Sequence, residues 1–196
     1  MTNDQAYFDQ CFDKQAWQDI ELYGVEFEEC DFNDCDFSNA RLKNCKFVNC
    51  QFQRCNLSLI KLPQTRLFDV TFVDCKMVGI DWTHAHWPSF NLDHELRFKR
   101  CILNDSSWFG LTLNELHLEA CKLHDADFRE ADLARASLTE CDFQHALFMR
   151  TNLHSADFTD ATHFQIDVLE NVIAQAKFSR YEALALLDSL GIELVD

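Results

Sequence analysis

Large apolar residues return along this chain at a fixed interval of five. Between Cys30 and Leu57 they are Phe32, Phe37, Leu42, Phe47, Phe52 and Leu57, and two places ahead of each stands Cys30, Cys35, Ala40, Cys45, Cys50 or Cys55. Alternating offsets of two and three fit neither one face of a 3.6-residue helix nor a plain alternating strand. A five-residue period held this long predicts a repeat architecture.

With the large residue as the centre of each pentad, the register runs from Phe12 through Trp17, Leu22 and Phe27 to Leu92. It then slips by one residue and resumes at Phe98, Leu103, Trp108 and Leu113, continuing to Phe158. The slip falls at 93–97, just after the Pro-containing THAHWPS, and reads as a bulge or short corner. Three segments are expected: a lead-in or cap at 1–11, the repeat column at 12–162, and a C-terminal helical cap and dimerisation segment at 163–196.

The pentads ADFRE (126–130), ADLAR (131–135) and ADFTD (156–160) carry an A(D/N)LXX-type pattern and resemble the pentapeptide-repeat family. That resemblance implies an all-β solenoid, a right-handed quadrilateral β-helix with four pentads per coil and the centre and small residues pointing inward. Stacking the sequence at twenty residues per coil, with one extra at the slip, gives two expected columns. One gathers Phe12, Phe32, Phe52, Phe72, Leu92, Leu113, Leu133 and Leu153; the other gathers Phe27, Phe47, Leu67, Trp87, Trp108, Phe128 and Phe148. At a coil spacing of about 4.8 Å the rod is roughly 36 Å long.

Nine of the ten cysteines occupy the small inward slot that Ala40, Ala126, Ala131, Ala136, Ala146 and Ala156 fill elsewhere. They read as small buried hydrophobes and free thiols rather than zinc ligands or disulfides, in two columns, 35/55/75 and 101/121/141. No cofactor or metal is expected. After Phe158 the spacing of Leu169, Val172, Ile173 and Ala176 predicts a helix over 167–177, with Asp167 as N-cap. A second helix is expected from Ser179, paired with Glu182 in a capping box, to Gly191, followed by a short strand at 192–195. Its surplus apolar residues predict a two-fold dimer through Tyr181, Leu184, Leu187, Leu190, Ile192 and Leu194.

Charge narrows the function. The chain carries a net charge of −16, the wrong sign for direct nucleic-acid binding through phosphates. No run long enough to span a membrane occurs and the N-terminus lacks a signal-peptide core, so a soluble, cytoplasmic protein is expected. Residues 1–40 hold eleven acids and one base, residues 41–100 five acids and ten bases, and residues 101–196 seventeen acids and six bases. About 36 Å of B-DNA carries about 21 charges, so the rod's charge is of DNA-like order.

The ending ALALLDSLGIELVD is similar to the gyrase-interacting subgroup of the family, the Qnr, MfpA, AlbG and McbG proteins, and is most like McbG. This resemblance implies a dimeric, DNA-mimicking rod that binds DNA gyrase or topoisomerase IV and guards it against a toxin or antibiotic. With only one residue inserted overall, the two sizeable projecting loops of Qnr are not expected. Mimicry would use Glu115, Glu119, Asp125, Asp127, Glu130, Asp132, Asp142, Asp157 and Asp160, near the dimer centre; alternatively these acids only solubilise outward slots.

A second candidate is an outward apolar stripe of Val48, Phe68, Pro88, Phe109 and Met149, either a partner site or a surface covered by the nearby corner or lead-in. Gly-rich phosphate loops, GxSxG and HExxH are absent from the sequence. The cluster of His84, His86 and His94 is the weak candidate for metal or acid–base chemistry. A binding protein is therefore expected, not an enzyme. The alternative to topoisomerase binding is a non-enzymatic interaction scaffold with another partner.

Overall fold

The structure is a computed structural model that describes residues 1–87, 96–192 and 195. It is a right-handed quadrilateral β-helix of about eight turns, closed by one short C-terminal helix. The sequence builds it pentad by pentad. The centre residue and the small residue two places before it point inward, and the residue two places after the centre sits at a corner with positive φ. Corners such as Asp9, Asp19, Asn39, Asp105 and Asp125 lie at φ 48–58°. Asn, Asp and Gly tolerate this left-handed geometry best, which explains their recurrence there. Each corner locks to the next coil: the Asp9 N–H donates to the Glu28 carbonyl at 3.0 Å, and that of Asn39 to Ser58 at 2.9 Å.

Large residues stack in register up each face. The column Phe12, Phe32, Phe52, Phe72, Phe98 continues to Phe158 and Phe178 through parallel pairs. Its rings lie parallel, with centroids 4.4 Å apart for Phe32 and Phe52 and 5.1 Å for Phe52 and Phe72. Offset stacking of this kind adds to the burial of the rings themselves.

The interruption is longer than a one-residue slip. Val70 pairs with Leu96 and Phe72 with Phe98, an offset of 26 where every earlier coil repeats at 20. Six residues are thus added between Trp87 and Leu96; residues 93–95 of the expected slip lie outside the described residues. The columns drawn with a one-residue slip are therefore wrong beyond it. Trp108 stacks on Trp82, with centroids 4.7 Å apart, and not on Trp87. An offset of 26 keeps the ring stacks in register on either side of the interruption, whereas an offset of 21 would bring Trp108 over Trp87.

The same offset joins the two expected cysteine columns into one: Cys35, Cys55, Cys75, Cys101, Cys121 and Cys141. These thiols are more than small hydrophobes. Cys35 Sγ donates to the Phe12 carbonyl at 3.2 Å, Cys55 to Phe32 at 3.2 Å, Cys75 to Phe52 at 3.4 Å and Cys101 to Phe72 at 3.4 Å. Thr65, Thr151 and Asn171 fill equivalent slots on another face and reach back to Leu42, Phe128 and Phe148 in the same way. The slot thus accepts a compact side chain that can satisfy a carbonyl of the preceding coil. All ten cysteines are free thiols, and burial pushes Cys35 and Cys50 up to about 11.

Both ends differ from the sequence expectation. Residues 1–11 already belong to the first coil, because Tyr7 pairs with Phe27 and Cys11 with Asp31. The small slots of this coil hold exposed Gln5, Gln10 and Gln15, which give the open end a polar face. At the other end, residues 167–177 are not a helix but a further coil: Asn152 bridges Val172, Lys177 pairs with Asp157, and Phe178 stacks on Phe158 at 5.0 Å.

The pentad spacing of Ile173 and Phe178 prevails over the helical spacing, and Leu169 and Val172 point to solvent. Asp167 caps a turn by accepting from the Leu169 N–H. Nor does Ser179 form a capping box; its hydroxyl donates to Asp160. The helical segment is short, a 3-10 turn at Glu182–Leu184 running into the α-helix Ala185–Asp188. Of the strand expected at 192–195, residues 193 and 194 lie outside the described residues, and Ile192 and Val195 are not in a strand.

Candidate partner-binding surfaces

The nine acids expected to present negative charge are all engaged. Glu115 pairs with Arg135 at 2.8 Å, Glu119 with Lys99 at 2.6 Å, Asp127 with Arg129 at 2.8 Å and Asp157 with Lys177 at 3.1 Å. Glu130 pairs with Arg150, and Asp125 lies 3.5 Å from His145. Asp132 accepts from Asn152 Nδ2 at 2.9 Å, and Asp160 accepts from Ser179.

Asp127, Asp132, Asp142 and Asp157 also accept the backbone N–H two residues on, at Arg129, Ala134, Gln144 and Thr159. An aspartate just before the centre residue is therefore an Asx-turn cap for the next corner. The ion-pair ladders follow from coil spacing: corner residues twenty apart stand side by side, as do Asp34 and Arg54 at 2.7 Å.

Asp142 sits between two histidines, 2.7 Å from His124 Nε2 and 2.8 Å from His163 Nδ1. Partial burial works to raise its pKa, but the hydrogen bonds from His124 and His163 hold it below the usual carboxylate range. Sequence reading missed this cluster, since spacings of 18 and 21 become contacts only once the coil length is known.

Negative charge is least compensated at the first two coils. Of the eleven acids in residues 1–40, Asp34 is in an ion pair, with Arg54; Asp9, Asp13, Glu26, Glu28, Glu29 and Asp31 have none among the described residues. The parallel pairing of Ala6–Phe8 with Glu26–Glu28 and of Cys11–Asp13 with Asp31–Asn33 brings these six onto two adjoining faces.

The expected apolar stripe does not form. Val48 pairs with Phe68 on the face of Phe47 and Leu67, but Phe109 and Met149 follow Trp108 and Phe148 on the neighbouring face, with the Arg129 guanidinium 5.8 Å from the Phe109 ring. The longer insertion separates the two sets; Pro88 lies outside the described residues. His84 lies 3.3 Å from Asp81, and the His86 N–H donates to the Thr65 carbonyl. His94 is outside the described residues, among which no group of His, Cys, Asp or Glu could hold a metal ion. Of the expected dimer residues, Tyr181, Leu184, Leu190 and Ile192 are exposed and Leu187 is half-buried; Leu194 is outside the described residues. No helix among the described residues is long and apolar enough to cross a membrane.

The pentapeptide repeat region profile matches residues 25–108 and 91–158. The chain belongs to the pentapeptide-repeat family. Among solved structures, this pentapeptide-repeat protein is similar to QnrB1, described as a plasmid-mediated fluoroquinolone resistance protein. A trypsin-treated arginine-to-glutamate variant of QnrB1 matches at 19% identity and TM-score 0.64, covering 99% of both chains. A second trypsin-treated variant matches at 19% identity and TM-score 0.54, covering 99% of this chain and 93% of QnrB1. HetL, a pentapeptide repeat protein of heterocyst differentiation in the cyanobacterium Nostoc, matches at 18% identity and TM-score 0.49, covering 90% of this chain and 86% of its own. No curated protein sequence matches significantly.

Proposed function

We propose that this pentapeptide-repeat protein is a non-enzymatic DNA mimic that binds DNA gyrase or topoisomerase IV and changes its response to a topoisomerase-poisoning toxin or antibiotic. The observation that carries the reading is the uncompensated acid density of the first two coils on a rod of DNA-like size. The fold-level likeness to QnrB1 over the whole chain and the resemblance of the tail to those of the gyrase-interacting subgroup support it.

Two copies joined through Tyr181, Leu184, Leu187, Leu190, Ile192 and Leu194 would place these acidic coils at the outer ends of the dimer. The negative face then lies at the ends and not at the centre, because the acids from Glu115 to Asp160 are largely spent on turns and ion pairs. Supercoiling by gyrase, measured with the purified chain in the presence and absence of a fluoroquinolone, tests the proposal. Inhibition or rescue supports it. The engagement of these acids in turns and ion pairs favours the second reading, a scaffold for a non-topoisomerase partner, for which supercoiling is unchanged in both conditions.

A further inference from the structure

The corner residues that turn the third face into the fourth are Asp19, Asn39, Leu59, Gly79, Asp105, Asp125 and His145. Leu59 is the outlier. It holds φ at 60°, where a bulky side chain is disfavoured, and it is 52% exposed, so burial does not offset the strain. Its backbone is fixed by the hydrogen bond from its N–H to the Val78 carbonyl at 2.8 Å. Gly79 makes room for it: a Cβ there would lie 2.7 Å from Leu59 Cδ2. An exposed leucine is thus seated in a costly corner over a glycine notch.

Beside this leucine runs a basic strip in the one part of the chain where bases outnumber acids. Arg41 and Lys61 are ladder neighbours, and Lys43 stands two residues from Arg41, its Nζ 5.8 Å from the Tyr23 ring centroid. Arg54, Arg100, Arg129, Arg135 and Arg150 are all in ion pairs, whereas Arg41, Lys43 and Lys61 have none among the described residues. A cleft of about 490 Å³ bordered by Arg41, Leu59, Lys61 and Gly79 adjoins, at Arg41, one of about 310 Å³ bordered by Tyr23 and Lys43. Glu21 precedes Arg41 on this ladder and Asp81 also borders the larger cleft, so carboxylates close both ends of the strip.

We propose that this groove docks an extended acidic segment of a partner protein, with its carboxylates on Arg41, Lys43 and Lys61 and one apolar side chain against Leu59. Charge complementarity selects the occupant, since Arg41, Lys43 and Lys61 present positive charge with no ion pair among the described residues. The flanking Glu21 and Asp81 set its register, and the exposed leucine supplies apolar surface for one side chain of the segment. This surface is separate from the acidic coils and does not depend on topoisomerase binding.

The test is fluorescence anisotropy of the full chain with a labelled peptide, GSEELEESG, against the same peptide with Ser in place of Leu and against a short DNA duplex as competitor. The expected result is binding of the Leu peptide that falls at least tenfold with the Ser peptide, with Arg41→Glu/Lys61→Glu, and with Leu59→Asn. Because Asn suits this corner, as Asn39 does one coil earlier, Leu59→Asn should keep or raise Tm while it loses the peptide. Absence of peptide binding, binding unaffected by Leu59→Asn, or displacement by the duplex at equal charge would overturn the proposal.

Discussion

Phe72 stacks on Phe98 with ring centroids 5.0 Å apart and planes 9° from parallel, although the two are twenty-six positions apart. The column closes over the interruption without losing a rung. Phe98→Ala should therefore cost about 3–5 kcal/mol, as for a buried core aromatic. Excising six residues from 88–95 restores the twenty-residue offset, and Tm should stay within a few degrees. Excising one residue should cost much more. Thermal unfolding followed by circular dichroism separates these outcomes.

The donor role of the inward thiols is testable at Cys55, whose Sγ meets the Phe32 carbonyl. Cys55→Ala should lose about 1 kcal/mol, whereas Cys55→Thr should lose less, because Thr65 and Thr151 already make the equivalent bond. Denaturant titration of the two variants gives the order.

Thiol reactivity gives an independent check. Nine cysteines are buried and Cys11 is exposed, so a chromogenic disulfide reagent should titrate one thiol in the folded protein and ten in denaturant. Desolvation and the neighbouring Asp13 raise the Cys11 pKa, so its reaction should speed up markedly as pH rises past neutrality.

Acid should destabilise the column through its carboxylates. Asp142, held by His124 and His163, and Asp127, held by Arg129, have folded-state pKa values below the ordinary 3.8. A depressed carboxylate pKa contributes stability that is present above the unfolded value and lost as pH falls through the folded one. Stability should thus fall below about pH 4. Asp142→Asn should flatten that fall while lowering Tm at pH 7.

The central pentad rhythm was readable from sequence alone because every inward slot repeats it, from Phe12 to Phe158. What was not readable depended on the length of one interruption. Trp87 and Trp108 each fit the five-residue beat, so periodicity could not say that Trp108 belongs over Trp82. Helical spacing misled at 167–177 because Leu169, Val172 and Ile173 satisfy it by chance, while the decisive partner of Phe178 is Phe158, twenty residues away. The acids at Asp127 and Asp142 looked like free surface charge; Asp127 is held by Arg129 two residues on, whereas only the coil offset reveals His124 and His163 as the partners of Asp142.

The exposed Tyr181, Leu184 and Leu190 should hold two copies together. Light scattering after gel filtration should find a dimer for the unaltered chain and a monomer for Leu184→Asp/Leu190→Asp. Its circular dichroism should be unchanged, since none of these side chains lies in the core.

The claim that the first two coils imitate duplex DNA is tested most directly by gyrase supercoiling with the intact chain and with Glu28→Lys/Glu29→Lys. These acids are outward and without ion pairs among the described residues, so their reversal should leave the fold intact. The account predicts a clear effect of the unaltered chain on supercoiling, or on its poisoning by a fluoroquinolone, and about a tenfold weaker effect after reversal. Equal potency of the two proteins, or no effect of either, would contradict it.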